Sequence, residues 1–263
     1  MAFEIAEYVR RVAPVEGDDL DYAAFERQPL PAGALRCLRY MHDVESHTVC
    51  YLRDLLVTQA HRDPEITTFL TFWNYEEYWH GEAIGRVLAA HGEPAGLARV
   101  TPMRTSLGWH DRISPMTTWL ASLAVREFVA VHMTWGAINE WSTQAGYARL
   151  VAHADHPVLT QLLKRIMLQE GRHIDFYSSQ AARRLASSAA ARRLTRLALR
   201  RFWTPVGAGV MPEPEVRHLI AYLFGDEEGR AVAARIDRHV DRLPGLTGLR
   251  LATSTVDRYA RAA

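Results

Sequence analysis

Along most of the chain apolar residues recur every three or four positions and rarely alternate, and the breaks in that rhythm fall where proline and glycine gather. The pattern predicts helices and no sheet. Residues 1–32, rich in aspartate and proline (Pro14, Asp18, Asp19, Pro29, Pro31), read as a loose N-terminal extension. The first long helix is expected from about Gly33 to Gln59. His61-Arg62-Asp63-Pro64 interrupts it, and a second helix runs from about Glu65 to Ala90, with Pro64 suited to a first turn. Residues 91–114, punctuated by Gly92, Pro94, Gly96, Pro102 and Gly108, read as a long crossover. A third helix is expected from near Pro115 to about Ala152, and after a turn at residues 153–157 a fourth runs to about Ala186. Beyond it the pattern predicts Ala190 to Phe202, Glu213 to Leu223 and Glu227 to Arg242.

Two short-loop helix pairs joined by one long connection make a ferritin-like arrangement. The expected fold is therefore all-α: a four-helix bundle with long crossover over residues 33–188, and a C-terminal helical extension over residues 189–263 packed on it.

Two helices repeat one motif. Glu77-Tyr78-Trp79-His80 lies on the second and Glu170-Gly171-Arg172-His173 on the fourth, and residues three apart share a helical face. One Glu-x-x-His arises by chance on any helix rich in those residues. Two of them, each preceded by a helix with a further glutamate, form the di-iron carboxylate pattern of four Glu and two His. Depth selects the supporting glutamates. Glu45 sits about fourteen residues before the first turn and Glu77 about thirteen after it, so both lie roughly 20 Å from the turn at ~1.5 Å per residue. Glu140 and Glu170 match across the second turn in the same way, whereas Glu127 misses by roughly 20 Å. The expected metal ligands are Glu45, Glu77, His80, Glu140, Glu170 and His173. Hard carboxylates with two imidazoles and no thiolate favour Fe or Mn over structural zinc. Glu76 and Gln169, each just before a ligand glutamate, are expected to orient the histidines. His42, His47, His110 and His132 have no partner motif and read as structural, and Phe69, Phe72, Trp73 and Trp79 read as core.

Composition adds mainly exclusions. In 263 residues the hydrophobic share is 48% and the charged share 23%, so the chain can bury a core. A net charge of +1 gives no global pull toward nucleic acid or an anionic membrane. The two cysteines, Cys37 and Cys50, fall on one predicted helix, too far apart to bridge. Without a signal-peptide pattern near Met1 or a long apolar span, a cytoplasmic protein is expected.

Trp73-Asn74-Tyr75-Glu76-Glu77-Tyr78-Trp79-His80-Gly81 resembles the W-x-x-E-E-x-x-H-G stretch of the soluble acyl-carrier-protein desaturases, within the ferritin-like di-iron superfamily. Val44-Glu45 followed by Tyr51 is similar to that family's first ligand helix, and Glu170-Gly171-Arg172-His173 to its second E-x-x-H. Glu140-Trp141-Ser142-Thr143 resembles its E-x-x-T, in which the glutamate bridges iron and the threonine lies beside the dioxygen site. The likeness covers roughly residues 39–180. Three departures stand out: the chain is shorter than plant members, Gln169 replaces an acidic residue, and the interval from Glu140 to Glu170 is about three residues tighter.

The resemblance implies a di-iron oxidoreductase with two Fe ions, dioxygen as co-substrate and a ferredoxin-like external electron donor. Such an enzyme would desaturate or oxygenate an acyl or related substrate, with Thr143 as a catalytic residue and a homodimer as the assembly. The alternative is a ferritin-like ferroxidase without organic substrate. A basic cluster of Arg183, Arg184, Arg192, Arg193, Arg196, Arg200 and Arg201 is either a solvated face or a dock for an acidic acyl carrier protein. Its lack of interleaved aromatics argues against nucleic acid.

Overall fold

The computed structural model describes residues 3–125 and 127–260. Among them the chain is all helical, with no strand. In order the helices are α1 (Ile5–Arg11), α2 (Ala24–Arg27), α3 (Ala32–Leu56), α4 (Pro64–Ala90), α5 (Gly96–Thr105), α6 (Trp109–Ala124), α7 (Phe128–Ala154), α8 (Pro157–Ser187), α9 (Ala189–Phe202), α10 (Glu213–Phe224), α11 (Glu227–Asp241) and α12 (Leu251–Ala260), with a 3-10 turn at Gln59–Arg62. The fold divides into two compact units, one of Glu4–Arg126 and Ala154–Gln169, the other of Met1–Phe3, Glu127–His153 and Glu170–Ala263.

In the first unit, α3 and α4 pair along their length across a short connection. The Asp63 side chain caps α4 by accepting from the amides of Glu65 and Ile66, with Pro64 in the first turn as its sequence predicts. The two helices come close because glycines line the seam. A Cβ on Gly81 would sit 3.1 Å from Ser46 Oγ, and one on Gly85 would sit 3.4 Å from the His42 ring.

The N-terminal extension is more ordered than its proline and aspartate content predicts. Phe25 is fully buried, stacking on His156 at 4.2 Å, and the Arg165 side chain pairs with Asp19. A few large apolar anchors suffice to hold a segment that has little helical pattern of its own.

The expected crossover and third helix also differ. Residues 96–105 form α5, and the helix expected from Pro115 to Ala152 is two helices, with Val125 extended between them. Pro115 lies inside α6 and does not start it. A proline has no N–H to give the carbonyl four residues earlier, that of Asp111. Arg53 of α3 supplies the missing donor, its Nη2 reaching the Asp111 carbonyl at 3.2 Å. The break therefore tracks packing of α6 against α3.

In the second unit, the Arg149 side chain on α7 is almost wholly buried. It donates to the Leu223 carbonyl at the end of α10 and pairs with Asp226 and Glu228 at the start of α11. Asp237 of α11 accepts from the Ala252 and Thr253 amides and so caps α12. At Gly136 α7 lies close against α8, since a Cβ there would fall 2.4 Å from the Tyr177 ring.

Candidate metal centre

On α4, Glu77 and His80 are one turn apart and share a face, and both are buried. Glu77 Oε2 lies 3.2 Å from His80 Nδ1. Glu45 on α3 is also buried, and its Cβ faces the neighbouring Gly81 at 3.6 Å from where a Cβ would be. The missing side chain at Gly81 is what lets Glu45 stand level with His80.

Gln169 sets the tautomer of His80. Its amide nitrogen donates to the Ala13 carbonyl at 3.1 Å, which turns its Oε1 toward His80 Nε2 at 2.9 Å. Nε2 must then carry a proton, so the neutral ring has its lone pair on Nδ1. Two acceptors, Nδ1 and the Glu77 oxygen, thus face each other across 3.2 Å. That arrangement is repulsive until a cation is shared between them. Replacing Gln169 by leucine is expected to weaken metal binding about 10- to 100-fold in a chelator competition. Gln169→Glu, which keeps an acceptor for His80 but loses the donor to the Ala13 carbonyl, is expected to fall between the leucine variant and wild type; equal affinity for the leucine variant would remove Gln169 from this role.

The second unit repeats the pair. Glu170 and His173 on α8 are fully buried, with Oε2 and Nδ1 again 3.2 Å apart. Glu140 on α7 is 6% exposed, one turn beyond Gly136, and Thr143 is half-buried one turn further. Glu127 instead accepts a hydrogen bond from Ser188.

Each unit gathers a buried set whose possible ligand atoms lie within 4.8 Å of one another: Glu45, Glu77 and His80 in the first, Glu140, Glu170 and His173 in the second. Two carboxylates and one imidazole without a thiol, as each unit offers, are a donor set that fits an iron or manganese ion.

The other expected residues have definite places. Glu76 is fully buried and accepts from the Tyr8 hydroxyl at 2.9 Å, so the N-terminal extension supports it. His42 pairs with Asp43, itself held by Arg99. His132 packs on Phe128 at 4.4 Å, and burial pushes its imidazole down to about 4. The side chain of His110 lies outside the described residues. Phe69 and Trp73 are core, while Tyr78 is 54% exposed. Of the arginines, Arg192 donates to the Leu185 and Ala186 carbonyls at the end of α8, and Arg196 to those of Gly245 and Thr247. Arg193, Arg200 and Arg201 are exposed.

Two features escape a reading by motif. A cavity of about 420 Å³ between α3, α4 and α5 is bordered by Glu45, Val49, Tyr78, Leu97, Val100 and Arg104. A third possible ligand group joins His47, Cys50 and Asp111, and its one local signal is the His-x-x-Cys spacing on α3. Among the described residues no helix is long and apolar enough to cross a membrane. A scan against family models found no match to this chain, and searches of curated proteins and of solved structures found none either.

Proposed function

We propose that this protein is a di-iron oxidase that uses dioxygen to desaturate or oxygenate an acyl or related organic substrate. The observation that carries the reading is the repeated geometry: two buried Glu-x-x-His pairs with the same 3.2 Å contact, each with a further buried glutamate within 4.8 Å in its own unit. A chance pair of helical motifs has no reason to bury both carboxylates and both imidazoles.

Glu45, Glu77 and His80 would hold one ion, and Glu140, Glu170 and His173 the other. Iron supplies the capacity to reduce dioxygen. For desaturation, two electrons come from the two C–H bonds that break and two from an external donor of the ferredoxin class, and dioxygen leaves as two waters. Thr143, one turn beyond Glu140, is the hydroxyl assigned to pass protons to the site. The cavity beside Glu45 favours an organic substrate over iron storage, because its volume falls in the usual range of about 300–1,000 Å³ for small-molecule sites. Its lining sets Val49, Leu97 and Val100 beside Asn74, Glu82 and Arg104.

The test is anaerobic loading with Fe(II), addition of dioxygen with a reduced ferredoxin, and mass analysis of acyl substrates offered free and on an acidic carrier protein. A product that has lost two hydrogens or gained one oxygen is expected. Dioxygen uptake in proportion to iron alone would favour the ferroxidase alternative. The exposed Arg193, Arg200 and Arg201 are the proposed carrier dock. Turnover of carrier-bound substrate is expected to fall with salt and in Arg193→Glu/Arg200→Glu, with free substrate unaffected; equal turnover by that variant would discard the dock.

A further inference from the structure

We propose that His47, Cys50 and Asp111 form a second, separate metal site that takes a Zn²⁺ ion and fastens α6 to α3. His47 and Cys50 are three residues apart on one face of α3, and Asp111 stands in the first turn of α6. Possible ligand atoms of the three lie within 4.8 Å of one another. Around zinc, a sulfur at ~2.3 Å and nitrogen or oxygen at ~2.0 Å stand roughly 3.5 Å apart, so closing the site asks for a shift of about 1 Å.

Two further observations point to a ligand. His47 Nδ1 is buried and has no hydrogen-bond partner. Such a nitrogen is costly to leave unsatisfied, and a metal bond is one way to satisfy it. Asp111, for its part, is braced in advance. Pro115 leaves the Asp111 carbonyl open, and Arg53 spans that carbonyl and the carboxylate, with Nη2 at 3.1 Å from Oδ1 and Nη1 at 3.4 Å from Oδ2. Each carboxylate oxygen keeps a second lone pair, so the guanidinium orients the carboxylate without using it up. The charges around the Cys50 thiol are Asp111, Arg53, Arg104 and Asp54, two of each sign, so no net repulsion opposes a divalent ion.

The donors decide which ion. One sulfur, one imidazole and one carboxylate suit zinc, whereas the carboxylate-rich groups described above suit iron, so the two sites sort their metals by ligand softness. All three residues are half-buried, which leaves water a place as fourth ligand.

The probe is Co²⁺ added to the full-length protein after chelator treatment. Wild type is expected to gain, with one equivalent, the near-ultraviolet charge-transfer band that only a thiolate ligand gives. That band should vanish in Cys50→Ser, persist in Cys37→Ser, and be displaced by Zn²⁺ at lower concentration than Co²⁺. His47→Ala and Asp111→Asn should each weaken Co²⁺ binding at least tenfold. Iron content in Cys50→Ser should match wild type, which separates this site from the proposed di-iron centre. Should Cys50→Ser fail to fold, alkylation of Cys50 in the wild-type protein gives the same answer, with Zn²⁺ expected to slow it at least tenfold. No sulfur band in wild type, a band surviving in Cys50→Ser, or alkylation indifferent to Zn²⁺ would overturn the proposal.

Discussion

Glu170→Gln is expected to make the metal-free protein more stable and to abolish its stabilisation by Fe(II). Glu170 is fully buried, pairs with His173 and lies among the proposed ligands of the second unit with Glu140. Without a cation, crowded buried carboxylates repel one another, and folding must bear that cost or take up protons. Glutamine keeps the shape and removes one charge. We expect a gain of about 1–2 kcal/mol, or about 2–8 °C for a chain of this size. Wild type should gain about 2.7 kcal/mol when Fe(II) is present at a hundred times its dissociation constant, and the variant should gain almost nothing. Anaerobic melting with chelator and with Fe(II) reads both effects. If the metal-free variant melts lower and still responds to iron, the cluster is a structural hydrogen-bond network and the oxidase reading loses its foundation.

Gly136→Ala is expected to destabilise the protein by about 2–4 kcal/mol, although alanine is the better helix former. The added methyl would lie 2.4 Å from Cδ1 and Cε1 of Tyr177 and 3.0 Å from Cγ. Tyr177 is fully buried and cannot swing aside, so α7 and α8 must separate. Glu140 is one turn from Gly136 and His173 one turn from Tyr177, so the same separation should also lower metal affinity. Gly171→Ala is the control. No atom lies within 4 Å of the added carbon there, and helix propensity alone predicts a gain of about 0.5–1 kcal/mol. Urea unfolding of both variants decides the matter; equal midpoints would show that the α7–α8 approach is looser than the Gly136 geometry requires.

How much of this was readable in advance depends on whether the deciding partner was near in sequence. The Glu-x-x-His pairs follow from helical periodicity, and the level of Glu45 follows from equal distances to a turn, with Gly81 supplying the close approach that the arithmetic assumes. The division between α6 and α7 could not be read, because neither Gly nor Pro marks residues 125–127. Pro115 misled for a related reason. Its missing hydrogen bond is made good by Arg53, whose position no local pattern reports. The loose N-terminal reading failed because burial of Phe25 outweighs composition, and His47 read as structural because Asp111 comes from a distant helix. The choice of Glu140 as a bridge rested on likeness alone.

The opening segment contributes no ligand, yet the Tyr8 hydroxyl grips Glu76 and the Ala13 carbonyl grips Gln169. A proteolytic nick or bulky fusion partner ahead of residue 15 would therefore act on histidine alignment deep inside the protein. Preparations that differ only at this end can be expected to differ in iron occupancy, with the cause far from where the difference is measured.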